Sequence, residues 1–347
     1  MPLLYAVFSV LTANAVRDSA RPEGFVTLMG VATLLPAAAI IALVMFIGVG
    51  LDTLQSKRSF LGGLGMHANE FGKLLAFAFG PMLYVTFATQ GARRLFFAVV
   101  TAAALTAILL TFTRAAYVAI AIVTLMFLFQ SKRPGLVVAM AIAGAAATLV
   151  APSAFIDRIT TGINESAFET ARAGSLTDKL TAGRIGGYEL LAPEVLHSPL
   201  WGSGTGSTAW SAAVTQGLYR PQHPHNLYLE AALDLGMIGL ALTLYFYHRL
   251  HDAMKRLAAR ADFSAEMQAF FRGSRAGFVG ILILSMAGGH WYPHPEQALM
   301  WLAFGITFAY WPWVEAQRAF ERPRLTTSGG LGMPQPPPGL DRRNLYE

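Results

Sequence analysis

Apolar runs long enough to cross a lipid bilayer recur along almost the whole of this 347-residue chain. In hydrocarbon every backbone N–H and C=O needs an internal partner, and a helix supplies one within the segment itself. Runs at 25–51, 74–89, 95–112, 117–129, 136–150, 227–247, 278–288 and 298–312 predict spans, with a shorter apolar run at 3–11. The expected fold is an all-α polytopic membrane protein, a bundle of about eight or nine transmembrane helices. Charged residues make up 13% of the chain, against about 25% in a soluble domain, so a string of soluble domains is excluded. The absence of cysteine rules out a disulfide framework, Cys-ligated zinc, iron–sulfur clusters and a thiol nucleophile. Residues 1–16 lack a basic n-region, so no cleavable signal is expected.

Four parts are expected: N-terminal spans over 1–151, a long polar segment over 152–226, C-terminal spans over 227–313, and a disordered tail over 314–347, rich in Pro, Gly and Arg. The charged stretch 248–272 reads as an amphipathic connector on the membrane surface. Placing the long polar segment outside puts Arg17, Arg21, Arg93, Arg94, Lys132, Arg133, Arg249, Lys255, Arg256, Arg260 and Arg272 inside, as the positive-inside rule requires. The net charge of +6 therefore reflects topology, and no nucleic-acid partner is expected. If the run 3–11 also spans, Met1 falls outside, so either that run does not cross or upstream helices are missing.

With this orientation, polar residues converge on the outer face. The stretch RPQHPHNLYLEAALDLGMIG (220–239) passes from the polar segment into an apolar helix. His223, His225 and Asn226 stand at its mouth, and Glu230 and Asp234 follow at i, i+4 on one helix face. Carboxylates in a membrane helix are costly and mark candidate sites, although acids also suit a helix N-terminus. Arg114 lies at the outer start of a span, Arg184 in the long segment, Lys57, Arg58, His67 and Asn69 in the first outer loop, and His290 and His294 in the last. Arginines bind phosphate oxygens bidentately and stay charged when partly desolvated, and histidine accepts a proton near neutral pH. A snorkelling anchor is the plain alternative for Arg114, and a solvated loop charge for Arg184. PLWGSGTG (199–206) lacks the P-loop Lys and Ser/Thr and reads as a turn. No HExxH or GxSxG spacing is present, and no metal or other cofactor is expected.

Four stretches carry a family resemblance: GMHANEF (65–71), LTFTRAAY (110–117), GRIGGYELL (183–191) followed by PLWGSGTG (199–206), and HNLYLEAALDLGMIG (225–239). In order and spacing they resemble the O-antigen ligase and polysaccharide polymerase superfamily of bacterial membrane glycosyltransferases. Thr113, Ala115 and Asp234 stand where that family usually has Ser, Gly and Glu, and members usually carry more N-terminal spans. The resemblance implies a GT-C-like enzyme in the bacterial inner membrane with its site on the periplasmic side. The implied donor is a glycan on undecaprenyl pyrophosphate. The implied acceptor is a sugar hydroxyl on lipid A-core or on another lipid-linked glycan. Carried over by motif, Arg114 and Arg184 would bind the pyrophosphate and His225 would act at the acceptor hydroxyl, with Asn69, His223, Asn226, Glu230 and Asp234 as substrate-binding residues. Ligase and polymerase share this donor chemistry and differ in acceptor. A lipid-linked sugar flippase is the reading from another class, but it would place charges at mid-membrane on several helices, whereas here they gather at the outer edge.

Overall fold

The computed structural model describes residues 2–47, 58–131, 135, 184–219 and 223–321. The expected span 136–150, Lys57, and the tail beyond residue 321 lie outside the described residues. All regular structure among the described residues is helical. In chain order the α-helices are α1 Pro2–Arg17, α2 Glu23–Ile47, α3 Ala68–Ala88, α4 Gly91–Leu110, α5 Arg114–Ser131, α6 Arg184–Leu191, α7 Ala212–Thr215, α8 Leu227–Ala258, α9 Ala265–Leu284, α10 Ala298–Ala309 and α11 Trp311–Glu321. Six are long and apolar enough to cross a bilayer: α2, α3, α4, α5, α8, and α9 with its short 3-10 extension to Ala287. The two further apolar helices, α1 and α10, are shorter.

Helix α3 is the axis of the bundle, buried on nearly every side from Leu74 to Thr86. It packs against α9, α4 and α5. The approach to α9 is close because glycines face backbone: a Cβ on Gly80 would lie 2.4 Å from the Gly273 carbonyl oxygen, and one on Gly277 would lie 2.4 Å from that of Phe77. Pro81 follows Gly80 within α3 and supplies no N–H to the Phe77 carbonyl one turn back. That carbonyl is what Gly277 meets. Small residues at such a crossing replace the hydrophobic drive that lipid does not supply. The Gly273–Gly277 pair is a Gly-x-x-x-Gly spacing that the span pattern alone did not bring out. On the flanks, Leu35, Met45, Phe46, Leu95, Leu125 and Phe129 are exposed. This is the reverse of a soluble surface and fits helices whose solvent is acyl chain.

Three expectations change. The charged stretch 248–272 is not a separate surface helix: α8 runs on to Ala258, the chain turns, and α9 begins at Ala265 with Ser264 as its cap. Asp252 holds α8 helical through its charged end, accepting from Arg256 at 2.8 Å and from Arg318 of α11 at 2.7 Å. The apolar run 3–11 is part of a 16-residue helix, α1, which packs on α10. There Ser9 donates to the Trp301 carbonyl at 3.1 Å, and Gly305 leaves room for Thr12. Helix α11 carries regular structure to Glu321, past the point where the tail was expected to begin.

Candidate active site

Five short segments meet at the end of the bundle opposite Arg93, Arg260 and Arg318. The first is the entry to α3. The His67 amide donates to the Glu70 carboxylate at 2.7 Å, and Asn69 and Lys73, four residues apart, share one helix face. The second is the turn between α4 and α5. Thr113 donates to the Ala68 carbonyl at 3.2 Å, and Gly72 gives it space, since a Cβ there would lie 2.9 Å from Thr113 Cβ. Phe112 takes a left-handed φ of +50°, and Arg114 follows as the first residue of α5.

The third and fourth segments are clasped together. Helix α6 carries Arg184 at its start. Its Tyr188 hydroxyl lies 2.8 Å from the Met286 carbonyl and 3.2 Å from that of His225. Gly187 abuts the Tyr219 ring, and the Tyr219 hydroxyl donates to the His223 carbonyl at 3.1 Å. His225 is held at φ +53°, a left-handed conformation that costs an ordinary residue roughly 1–2 kcal/mol. The two non-glycine residues with positive φ among the described residues are thus Phe112 and His225, beside Arg114 and at the histidine turn. Such strain clusters where surrounding structure over-determines the backbone.

The fifth segment is the loop after α9. His290 donates from Nδ1 to Glu230 at 2.9 Å, and the Trp291 amide reaches the same carboxylate at 3.3 Å. The Trp291 indole donates to Asp234 at 2.9 Å. Asp234 is only 1% exposed and also accepts from the Gly206 amide, the Ser207 amide and the Ser207 hydroxyl. The PLWGSGTG loop is therefore a turn stitched onto α8. Gly236 leaves helical geometry at φ +69°, and the Met237 amide donates to Pro199. The loop amides of Gly206 and Ser207 face Asp234 rather than a phosphate.

Between these segments lies a cavity of about 430 Å³, lined among others by Asn69, Lys73, Arg114, Arg184, His223, His225, His290 and Glu296. Of the expected site residues, Arg114, Arg184, His223, His225 and Asn69 line it. Asn226, Glu230 and Asp234 do not. Asn226 caps α8, accepting from the Tyr228 and Leu229 amides at 2.9 and 3.1 Å, and the two acids anchor the loops just described. Their polar atoms bond to protein because a buried carboxylate needs donors on every side. Lys73 and Glu296 escaped the sequence reading. Lys73 stands just before the apolar run that opens at residue 74, yet it sits in α3 and bonds Glu296 at 2.8 Å. Its spacing from Asn69 was the available signal.

The cavity wall carries three cations, Lys73, Arg114 and Arg184, against two carboxylates, Glu70 and Glu296. Burial lowers the Arg184 pKa, and Arg114 lowers it further, against the raising influence of Tyr188 and Tyr219. Burial, then His225, His290, Lys73 and His294, push His223 down to about 3. Burial, then Arg184, Lys73 and His290, push His225 down to about 4. Both imidazoles are neutral at pH 7, and the cations that depress them suit an anionic ligand. His223 accepts from the His225 amide through Nδ1 at 3.4 Å. Among the described residues one group has the donor set for a cation: Glu70, His294 and Glu296 place ligand atoms within 4.8 Å of one another. The Lys73 ammonium on Glu296 already supplies positive charge there.

No curated protein matches the chain. The family model described as O-Antigen ligase matches residues 97–244. The matched range takes in the Arg114 turn, the Arg184 helix, the glycine-rich loop and the histidine turn, while the α3 entry and the loop after α9 fall outside it. This match, over three of the five segments around the cavity, supports the assignment of the chain to the O-antigen ligase and polysaccharide polymerase superfamily.

Proposed function

We propose that the protein transfers a glycan from undecaprenyl pyrophosphate to a sugar hydroxyl on the periplasmic face of the inner membrane, as an O-antigen ligase does. The observation that carries this reading is the convergence of Arg114, Arg184 and Lys73 with two neutral histidines on one cavity. The acceptor oxygen attacks the anomeric carbon of the donor sugar. The bond from that carbon to the diphosphate oxygen breaks, and the lipid diphosphate leaves. Arg114 and Arg184 hold its oxygens and take up the charge that grows on them. His225 takes the acceptor proton: it is neutral beforehand, and the bound diphosphate, by offsetting Arg184 and Lys73, raises its depressed pKa toward the range a general base needs. Glu230, through His290, and Asp234, through the glycine-rich loop, keep these groups in place.

Complementation of a strain lacking its own copy tests this. Wild-type protein is expected to restore long surface glycan, and His225→Ala, equally expressed in the membrane, is expected not to. Glycan attached to lipid A-core identifies a ligase, and unattached polymer a polymerase. Equal restoration by both proteins removes His225 from the chemistry.

A further inference from the structure

We propose that the opposite end of the bundle binds an anionic phospholipid, in a crevice between α3, α5 and α9. The crevice encloses about 270 Å³ and is lined by Tyr84 and Phe87 of α3, Phe127 and Gln130 of α5, and Gln268 and Arg272 of α9, with alanines between them. Its inner wall is apolar. Phe127 packs on Tyr84 and Phe87 at ring distances of 5.0 and 4.9 Å. Its rim is polar and carries no carboxylate among the described residues.

Arg272 is the anchoring group. Its hydrogen bonds run to the Ala258 carbonyl and the Gln268 amide oxygen, both at a long 3.4 Å. It has no carboxylate partner among the described residues. At the same end Arg93, Arg249, Arg260 and Arg318 are each matched, to Glu266, Glu315, Asp262 and Asp252. A second cation stands close by, since Arg94 lies over the Phe87 ring at 5.9 Å. The Tyr84 hydroxyl points independently to a ligand. Tyr84 is 5% exposed, and its hydroxyl has no hydrogen-bond partner among the described residues. Buried polar groups are normally bonded.

An unmatched guanidinium above aromatic walls, in a crevice between membrane helices, suits a ligand that is anionic at one end and apolar at the other. A free anion would leave the partly exposed Phe87 and Ala88 uncovered, and a zwitterionic headgroup would bring its own cation to Arg272. Basic pockets between transmembrane helices select anionic headgroups on these grounds.

Native mass spectrometry of the full-length protein, released from mixed micelles containing phosphatidylglycerol or phosphatidylethanolamine, tests the site. Wild-type protein is expected to retain one phosphatidylglycerol in preference to phosphatidylethanolamine. Arg272→Gln should reduce retention about fivefold, the worth of one basic residue at a lipid headgroup. Ala265→Leu, which narrows the exposed rim and leaves the charge in place, should reduce it as well, at an unchanged melting temperature. Equal retention by wild type and both variants, or equal retention of the two lipids, overturns the proposal. Displacement of the lipid by inorganic phosphate would make the site one for free anions and would also overturn it.

Discussion

The tyrosine clasp makes a quantitative claim about the histidine turn. His225 sits in a left-handed conformation worth roughly 1–2 kcal/mol of strain. Tyr219 donates to the His223 carbonyl, and Tyr188 shares its one proton between the His225 carbonyl at 3.2 Å and the nearer Met286 carbonyl at 2.8 Å, which ties the turn to the end of α9. A net neutral hydrogen bond contributes about 1 kcal/mol, so the two together are of the same size as the strain they oppose. Tyr188→Phe keeps the ring and loses the hydroxyl. It should shift the turn by about 1 kcal/mol, at most about fivefold in the population that presents His225 to the cavity. Tyr188→Phe combined with Tyr219→Phe should shift it by about 2 kcal/mol, or about 30-fold. The assay is the initial rate of glycan transfer from a polyprenyl diphosphate donor, at saturating donor, in nanodiscs. Thermal melting confirms that the fold is retained. A folded double variant that transfers within about twofold of wild type would show that the tyrosines do not hold the turn and would refute the reasoning.

Other perturbations test the frame and the charge of the site. Gly80→Ala should destabilise the bundle by about 1–3 kcal/mol, because the new methyl meets the Gly273 carbonyl at 2.4 Å and neither helix backbone can move aside freely; melting of the solubilised protein measures it, and an unchanged midpoint would contradict the α3–α9 contact. Asp234→Asn places an amide N–H₂ against donors from Ser207, Gly206 and Trp291 and should cost about 1.5–3 kcal/mol. It should be read as faster proteolysis within 199–210. The depressed histidines make the ligand-free protein acid-sensitive. The unfolded chain binds protons near the ordinary histidine pKa of 6.5, the folded protein only near about 4 and about 3, so stability present above pH 6.5 is lost as pH falls through that window. Inorganic pyrophosphate in the cavity should raise both pKa values and lessen the loss, which melting curves across this range with and without it would show.

Much of the membrane frame was legible because apolar length is a local property. The runs beginning at 25, 74, 95 and 117 each became a helix with modest changes at the ends. Where charge followed apolar sequence, as at 248–272, the reading stopped the helix too soon. The partners that keep α8 helical there, such as Arg318, are 66 residues away from Asp252. Lys73 was misplaced for a similar reason, since its partner Glu296 is 223 residues distant.

The same division holds at the candidate site. Taken alone, the chain determined which residue types stand at the span ends: arginines, histidines and acids at 114, 184, 223–234 and 290–294, in motifs that resemble one family. Their identity and their order are written locally. Tertiary structure alone decided their work. It brought Arg114, Arg184, His223 and His225 to one cavity and added Lys73. It turned Asn226, Glu230 and Asp234 toward caps and loops. The physical reason is that a buried polar atom must find a partner, and that partner can come from any turn the packing of α3, α8 and α9 brings near.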